Sequence, residues 1–338
     1  MMKKFLSINI FTIILLCISS LIYVSAEEIQ NTSQEYKITN GSYPVEVIIY
    51  NWVDSIRNRE VPVKIYYPKS DKEIFPIIIF SHGLGGSRDG YEYLGQYWAS
   101  HGYVSVHIQH KGSDIYVWKN SKNPYQDMKK AIKNVNNFIN RPKDVSFAID
   151  RMEKMNNENT LLKEKLDMKK IGVAGHSFGA FTALASSGRV LISPFGKKIN
   201  LSDPRIKACI AMSSPAQSVK RDRKSYANFS LPCFHMTGTL DDSPISNTKA
   251  DARRIPFDCI NKGDQYLVIF KDGDHMIFSD TKLLGDKRKN DALFHDLIQI
   301  SSTASGMLIS RMNPMQNPGY QTVVSKKHSE QMAHLRKR

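Results

Sequence analysis

The chain has 338 residues, 41% hydrophobic and 23% charged, without repeats or low-complexity stretches, so it can bury a sizeable core as one large domain or at most two. Its net charge is +15, and Arg311 to Arg338 alone carries six Lys/Arg against one Glu. That balance points to anionic lipid or cell-wall surfaces, or to solvated lysines that keep the protein soluble, rather than to nucleic acid.

Lys3 and Lys4 precede the apolar run FLSINIFTIILLCISSLIYV, which closes on Val24-Ser25-Ala26. The order of basic, apolar and small residues reads as an export signal over 1–26, cleaved after Ala26 to leave a secreted or periplasmic protein. A retained membrane anchor is the alternative reading. Beyond the signal stand Cys209, Cys233 and Cys259, an odd number that excludes a disulfide scaffold. Two of them lie in apolar, strand-like runs that suit buried thiols.

In chain order, VEVIIYNWV (45–53) and VPVKIYYP (61–68) predict an antiparallel strand pair at one sheet edge. FPIIIF (75–80) predicts a strand buried on both faces. A helix over 91–102, a strand over 103–109 and a helix over 141–155 follow. Next come a strand over 169–175, a helix over 178–187 and strands over 207–214, 231–238 and 264–270. This alternation predicts an α/β fold, a mostly parallel twisted sheet covered by helices on both faces. Residues 27–310 form the expected catalytic domain. The segment 111–131 reads as a polar loop bearing Tyr116, Trp118 and Tyr125, and 311–338 as an unstructured basic tail.

Between the strand ending at Gly175 and the helix beginning at Phe178 lies Gly-His-Ser-Phe-Gly. In an α/β sheet, G-x-S-x-G in that setting holds its serine on a tight turn, here Ser177. A serine hydroxyl needs a base, and the base needs an orienting acid. Both are expected after Ser177, in the order acid then histidine. The strand ending near Gly238 is followed by Asp241 and Asp242, and the strand ending near Phe270 by His275. Asp241 comes first after the turn and is the preferred acid; Asp242 is the alternative, and Asp274 a third. The developing oxyanion requires N–H donors, expected from Phe178, after the nucleophile, and Leu84 in SHGLGGSRDG (81–90).

FPIIIFSHGLGGSRDGYEYLGQYWASHGYVSVHIQHKGSD, RPKDVSFAIDRM and KKIGVAGHSFGAFTALA, with NREVPVKIYYP, GTLDDSP and GDH, resemble the α/β-hydrolases that include dienelactone-hydrolase-like proteins and plasma-type platelet-activating-factor acetylhydrolases. The resemblance covers about 45–305 and implies an α/β-hydrolase fold and a carboxylic-ester hydrolase without a cofactor, acting on a small-molecule or lipid ester. Dienelactone hydrolases use a cysteine nucleophile, where this chain has Ser177. The acetylhydrolases draw their acid from after the sixth strand, where this chain reads SSPAQ. The final helix of the family, usually aromatic, corresponds to DLIQISSTASGMLIS.

His82 and His176 are read as shaping turns. His107 and His110 point to opposite faces of an extended strand and cannot share a metal. Two other readings stand beside the esterase: a peptidase with the same triad, and a catalytically silent binding protein of the cell envelope. A fluorophosphonate probe separates the binding protein from the rest, since it would not label Ser177. The oligomeric state is left open.

Overall fold

The computed structural model describes residues 40–158, 161–193, 195–216, 218–280, 291–304 and 332–337; the proposed signal and residues 311–331 of the basic tail lie outside these. Strands β1 (Val45–Asp54) and β2 (Arg59–Pro68) pair antiparallel, as their alternating patterns predict. Asp54 Oδ1 shapes the turn between them by accepting the N–H groups of Ile56 and Arg57 at 3.0 and 3.1 Å.

Strand β3 (Phe75–Ser81), helix α1 (Glu92–Ser100) and strand β4 (Val104–Ile108) follow. Ile77 and Ile79 face one core cluster with Val104, Val106, Ile149 and Leu184, while Ile78 and Phe80 face a second with Leu94, Trp98, Met212 and Phe270. A continuous apolar run is what a strand covered on both faces requires, and each such side chain withdrawn from water contributes about 1.5–3 kcal/mol.

Helix α2 (Pro124–Lys133) and helix α3 (Val135–Asn157) come next. Two expectations change here. The predicted loop 111–131 holds a 3-10 turn at Ile115–Val117 and most of α2, with Pro124 at its first turn. The helix expected from 141 begins at Val135, because Asn134 caps it through Asn136 N–H at 3.0 Å and Pro142 is accommodated inside it.

Strand β5 (Leu166–His176) enters helix α4 (Phe178–Ser186), all nine residues of which are buried. A short hairpin, β6 (Leu191–Ile192) and β7 (Lys198–Ile199), precedes strand β8 (Ile206–Met212) and helix α5 (Val219–Ser225). Strand β9 (Cys233–Leu240), helix α6 (Ile255–Cys259), strand β10 (Gln265–Asp274) and helix α7 (Asp291–Ala304) complete the described domain. Trp98 Nε1–H donates to Ser302 Oγ at 2.9 Å and ties α1 to α7.

The main sheet runs β1-β2-β4-β3-β5-β8-β9-β10 and ends in a further strand, β11 (Met332–Lys337). Pairing is parallel from β4 through β10 and antiparallel at both ends. This is the mostly parallel sheet with helices on both faces and an antiparallel N-terminal edge expected of an α/β-hydrolase. Strand β11 departs from the unstructured tail that was expected. Edge pairing draws on main-chain N–H and C=O groups, so it leaves no hydrophobic period to be read in the sequence.

Candidate active site

The site is assembled at the carboxyl ends of the parallel strands. Ser177, directly after β5, has φ 56° and ψ −115°, a strained conformation for a residue bearing a Cβ. Its N–H donates to Met212 O at 2.9 Å, which anchors the turn to β8. Its flanking glycines are required by close approach. A Cβ on Gly175 would lie 2.3 Å from Gly179 O, and one on Gly179 would lie 1.8 Å from Ser81 O.

Asp241 and His275 directly follow β9 and β10. His275 Nε2 lies 3.0 Å from Ser177 Oγ, and His275 Nδ1 lies 2.7 Å from Asp241 Oδ1. The structure thus brings the three sequence-expected residues into one line of contacts. Asp242 points away: its carboxylate pairs with Lys249 Nζ at 2.6 Å and accepts from Ala250 N–H. Asp274 caps the next turn through Met276 N–H.

Three further groups hold the Asp241 carboxylate. Ser213, directly after β8 and with φ 55°, places Oγ 2.8 Å from both Asp241 Oδ1 and His275 Nδ1. Thr237 Oγ1–H donates to Asp241 Oδ2 at 2.8 Å. Arg253 donates to the Asp241 and Ser213 carbonyls, and its Nε stands 3.3 Å from Asp241 Oδ1. Burial pushes the Asp241 carboxyl pKa up, but the His275 hydrogen bond, the Arg253 charge and Ser213 outweigh it and hold the group below its usual range. Of these three, Ser213 lies inside the strand expected over 207–214 and carried no readable signal, because the strand ends at Met212. Thr237 and Arg253 reach the acid through the fold alone.

Above Ser177 lies the loop after β3. A Cβ on Gly83 would sit 3.5 Å from Ser177 Cβ, so the loop and Ser177 are in contact distance. The N–H groups of Gly83, Gly85 and Gly86 are taken by Tyr91 Oη, Ser113 O and Gly83 O. Among the described residues the N–H of Leu84 has no acceptor. Phe178 opens α4, where a first-turn N–H has no helical carbonyl to bond.

Ser177 and His275 line a cavity of about 610 Å³. Leu84, Trp118, Met128, Ile132 and Phe138 give it an apolar wall, and the segment Ser243–Thr248 also lines it. Trp118 Nε1–H donates to Gly85 O at 2.7 Å, so the segment after β4 packs on the glycine loop. Tyr116 and Tyr125, grouped with Trp118 by sequence, stay exposed.

His82, His107, His110 and His176 are buried. His176 Nδ1 contacts Tyr91 Oη at 2.7 Å, while His107 bonds Gly90 O and Ser105 Oγ. His110 meets Asp144 and Ser81. Among the described residues no three His, Cys, Asp or Glu side chains gather as a metal donor set. Cys209, Cys233 and Cys259 are buried free thiols.

Comparison with known proteins gives a family match and several relatives. The family described as platelet-activating factor acetylhydrolase, isoform II, matches residues 37–158 and 125–202, a range that contains Leu84, Ser177 and Phe178 and stops short of Asp241 and His275. The platelet-activating factor acetylhydrolase of Cavia porcellus is 27% identical over 150 residues, 37% of this chain and 34% of that protein. That of Canis lupus familiaris is 30% identical over 145 residues, 35% and 33%. That of Bos taurus is 29% identical over 140 residues, 33% and 32%. The matched stretch therefore spans about a third of the length of each relative.

Proposed function

From its kinship with the isoform II platelet-activating factor acetylhydrolases, within the α/β-hydrolases, we propose that this chain is a serine esterase that cleaves carboxylic esters bearing an apolar group. The observation that carries the reading is the chain of contacts Ser177 Oγ, His275 and Asp241, at 3.0 and 2.7 Å, whose first two members line a largely apolar cavity. The relatives, platelet-activating factor acetylhydrolases by name, point to ester hydrolysis as well.

In this reading Asp241 accepts from His275 Nδ1–H and so leaves Nε2 free to take the Ser177 proton. The Ser177 oxygen attacks the ester carbonyl, and the resulting oxyanion is held by the N–H groups of Leu84 and Phe178. His275 returns the proton to the leaving alcohol, an acyl-enzyme forms on Ser177, and water repeats the sequence to release the acid. The wall of Leu84, Trp118, Met128, Ile132 and Phe138 suits an apolar substituent of a lipid or small-molecule ester. No step calls for a cofactor.

The test is Ser177→Ala. Turnover of short p-nitrophenyl esters and labelling by a fluorophosphonate probe are expected to vanish, with circular dichroism and melting unchanged. Retained turnover in a folded Ser177→Ala protein overturns the reading.

A further inference from the structure

His82 takes no part in the proton transfers described above, yet it is fully buried beside the loop that meets Ser177. Its Nε2 accepts the backbone N–H of His110 at 3.1 Å. A ring nitrogen that accepts a hydrogen bond carries no proton, so in the neutral ring the proton sits on Nδ1. Burial, the charge of Arg141 and the neighbouring His110 keep the ring neutral by pushing its pKa well down. Nδ1–H therefore donates to Gly83 O, 2.6 Å away.

That carbonyl belongs to the same planar peptide as the N–H of Leu84. In a trans peptide the C=O and N–H point in opposite directions, so pinning one aims the other. Gly83 O is pinned twice, by His82 Nδ1–H and by Gly86 N–H at 3.2 Å. The preceding peptide is also held at both ends: Arg141 Nη2 donates to His82 O, and Gly83 N–H reaches Tyr91 Oη at 3.4 Å. In these two successive peptides, the Leu84 N–H is the one end without an acceptor among the described residues. Donation into Gly83 O also polarises the peptide and strengthens that N–H as a donor.

Behind the loop, a buried relay keeps His110 and Arg141 in register. Arg141 Nη2 donates to Ser81 Oγ at 3.1 Å, Ser81 Oγ–H to His110 Nε2 at 2.8 Å, and His110 Nδ1–H to Asp144 Oδ2 at 3.0 Å. Its connectivity repeats Ser–His–Asp, but all three side chains are buried and none lines the cavity. Arg57 and Arg59 close the far side of Asp144, both at 2.8 Å.

We propose that His82 is a positioning residue of the oxyanion hole: by holding Gly83 O it aims the Leu84 N–H at the oxygen of the tetrahedral intermediate. The inference rests on the serine-esterase reading, with Leu84 as oxyanion donor. Two variants separate aim from mere packing. His82→Asn keeps a donor where Nδ1 stands and loses the acceptor for His110 N–H. His82→Gln reaches the place of Nε2, keeps that acceptor and loses the donor to Gly83 O.

His82→Gln is expected to lower kcat by about 10²-fold, as loss of one oxyanion donor does, with KM within about twofold. His82→Asn is expected to keep kcat within about tenfold of the parent. Affinity for a trifluoromethyl ketone, which forms a tetrahedral adduct on the serine, should fall in parallel with kcat. A His82→Gln protein with parental kcat, or equal losses in both variants with KM rising, overturns the inference. Failure of the esterase reading is seen separately, as an unmodified chain that neither turns over esters nor labels at Ser177.

Discussion

Replacing Asp241 by Asn keeps the shape of the acid and removes its charge. Asp241 Oδ1 is faced by His275 Nδ1 at 2.7 Å, Ser213 Oγ at 2.8 Å and Arg253 Nε at 3.3 Å, while Oδ2 meets Thr237 Oγ1 at 2.8 Å. An amide is expected to turn its oxygen to the three donors and its NH₂ to Thr237, whose hydroxyl can accept. The His275 tautomer with the proton on Nδ1 then survives, and the loss is that of a charge beside the imidazolium formed in the reaction. With charge centres about 4 Å apart and an effective dielectric of about 20, that is about 4 kcal/mol, or about 10³-fold in kcat/KM. A flipped tautomer would cost about 10⁴-fold.

The assay is steady-state hydrolysis of a p-nitrophenyl ester, with melting curves confirming the fold. Because Ser213 Oγ lies 2.8 Å from His275 Nδ1 and its φ of 55° is one that Asp tolerates, adding Ser213→Asp should return a carboxylate and recover at least about tenfold. Asp242→Asn, at an exposed surface pair, should change activity by less than about twofold. A large loss in Asp242→Asn with Asp241→Asn near parental activity would refute the assignment of the acid. A loss of 10⁴-fold or more in Asp241→Asn would refute the argument that the amide oxygen keeps the proton on His275 Nδ1.

Two further outcomes follow from the packing. Gly179→Ala puts a Cβ 1.8 Å from Ser81 O, so it should lower the unfolding free energy in urea by about 3 kcal/mol and slow fluorophosphonate labelling more than about tenfold; an active, fully stable Gly179→Ala protein contradicts the elbow geometry. Burial pushes the pKa of His107 and of His110 down to about 3, so both are neutral when folded but take up protons in the unfolded chain below about 6.5. Their folded pKa values are depressed, so the stability they permit is complete above about pH 6.5 and is lost on acidification towards about pH 3, each steepening the fall by about 1.4 kcal/mol per pH unit. Calorimetry between pH 7 and 5 should show a shallower fall in His107→Gln than in the parent, and identical slopes would contradict it.

Most of the sheet and its central contacts could be read from the sequence because each rests on local grammar. Strand β3 announces itself as FPIIIF, and Gly175-His176-Ser177-Phe178-Gly179 lies between a strand and a small-residue helix. What could not be read depends on residues distant in the chain. Arg141 and Asp144, in RPKDVSFAIDRM, look like a solvated helix start, yet both are fully buried because the loop after β3 and the β1–β2 turn close over them. Trp118 sits in a polar stretch, and its bond to Gly85 O exists because β3 and β4 are neighbours. Strand β11 borrows its order from the exposed edge of β10.

The arrangement of the site follows from strand order more than from spacing. Ser177, Ser213, Asp241 and His275 are each the first residue after a strand, and those strands, β5, β8, β9 and β10, are consecutive neighbours in the sheet. Parallel strands end on one side, so four such residues form a row however far apart they lie in sequence. The row puts β8 between the strands that lead to Ser177 and Asp241, and whatever follows β8 must fill the space beside His275. An apolar side chain there would leave the Asp241 carboxylate short of a donor inside a buried site. A hydroxyl serves, since Ser213 can donate to Asp241 Oδ1 while its lone pairs face His275 Nδ1, both at 2.8 Å. Ser213 falls inside the strand expected over 207–214, so its place in the row follows only from where β8 ends and which strands flank it.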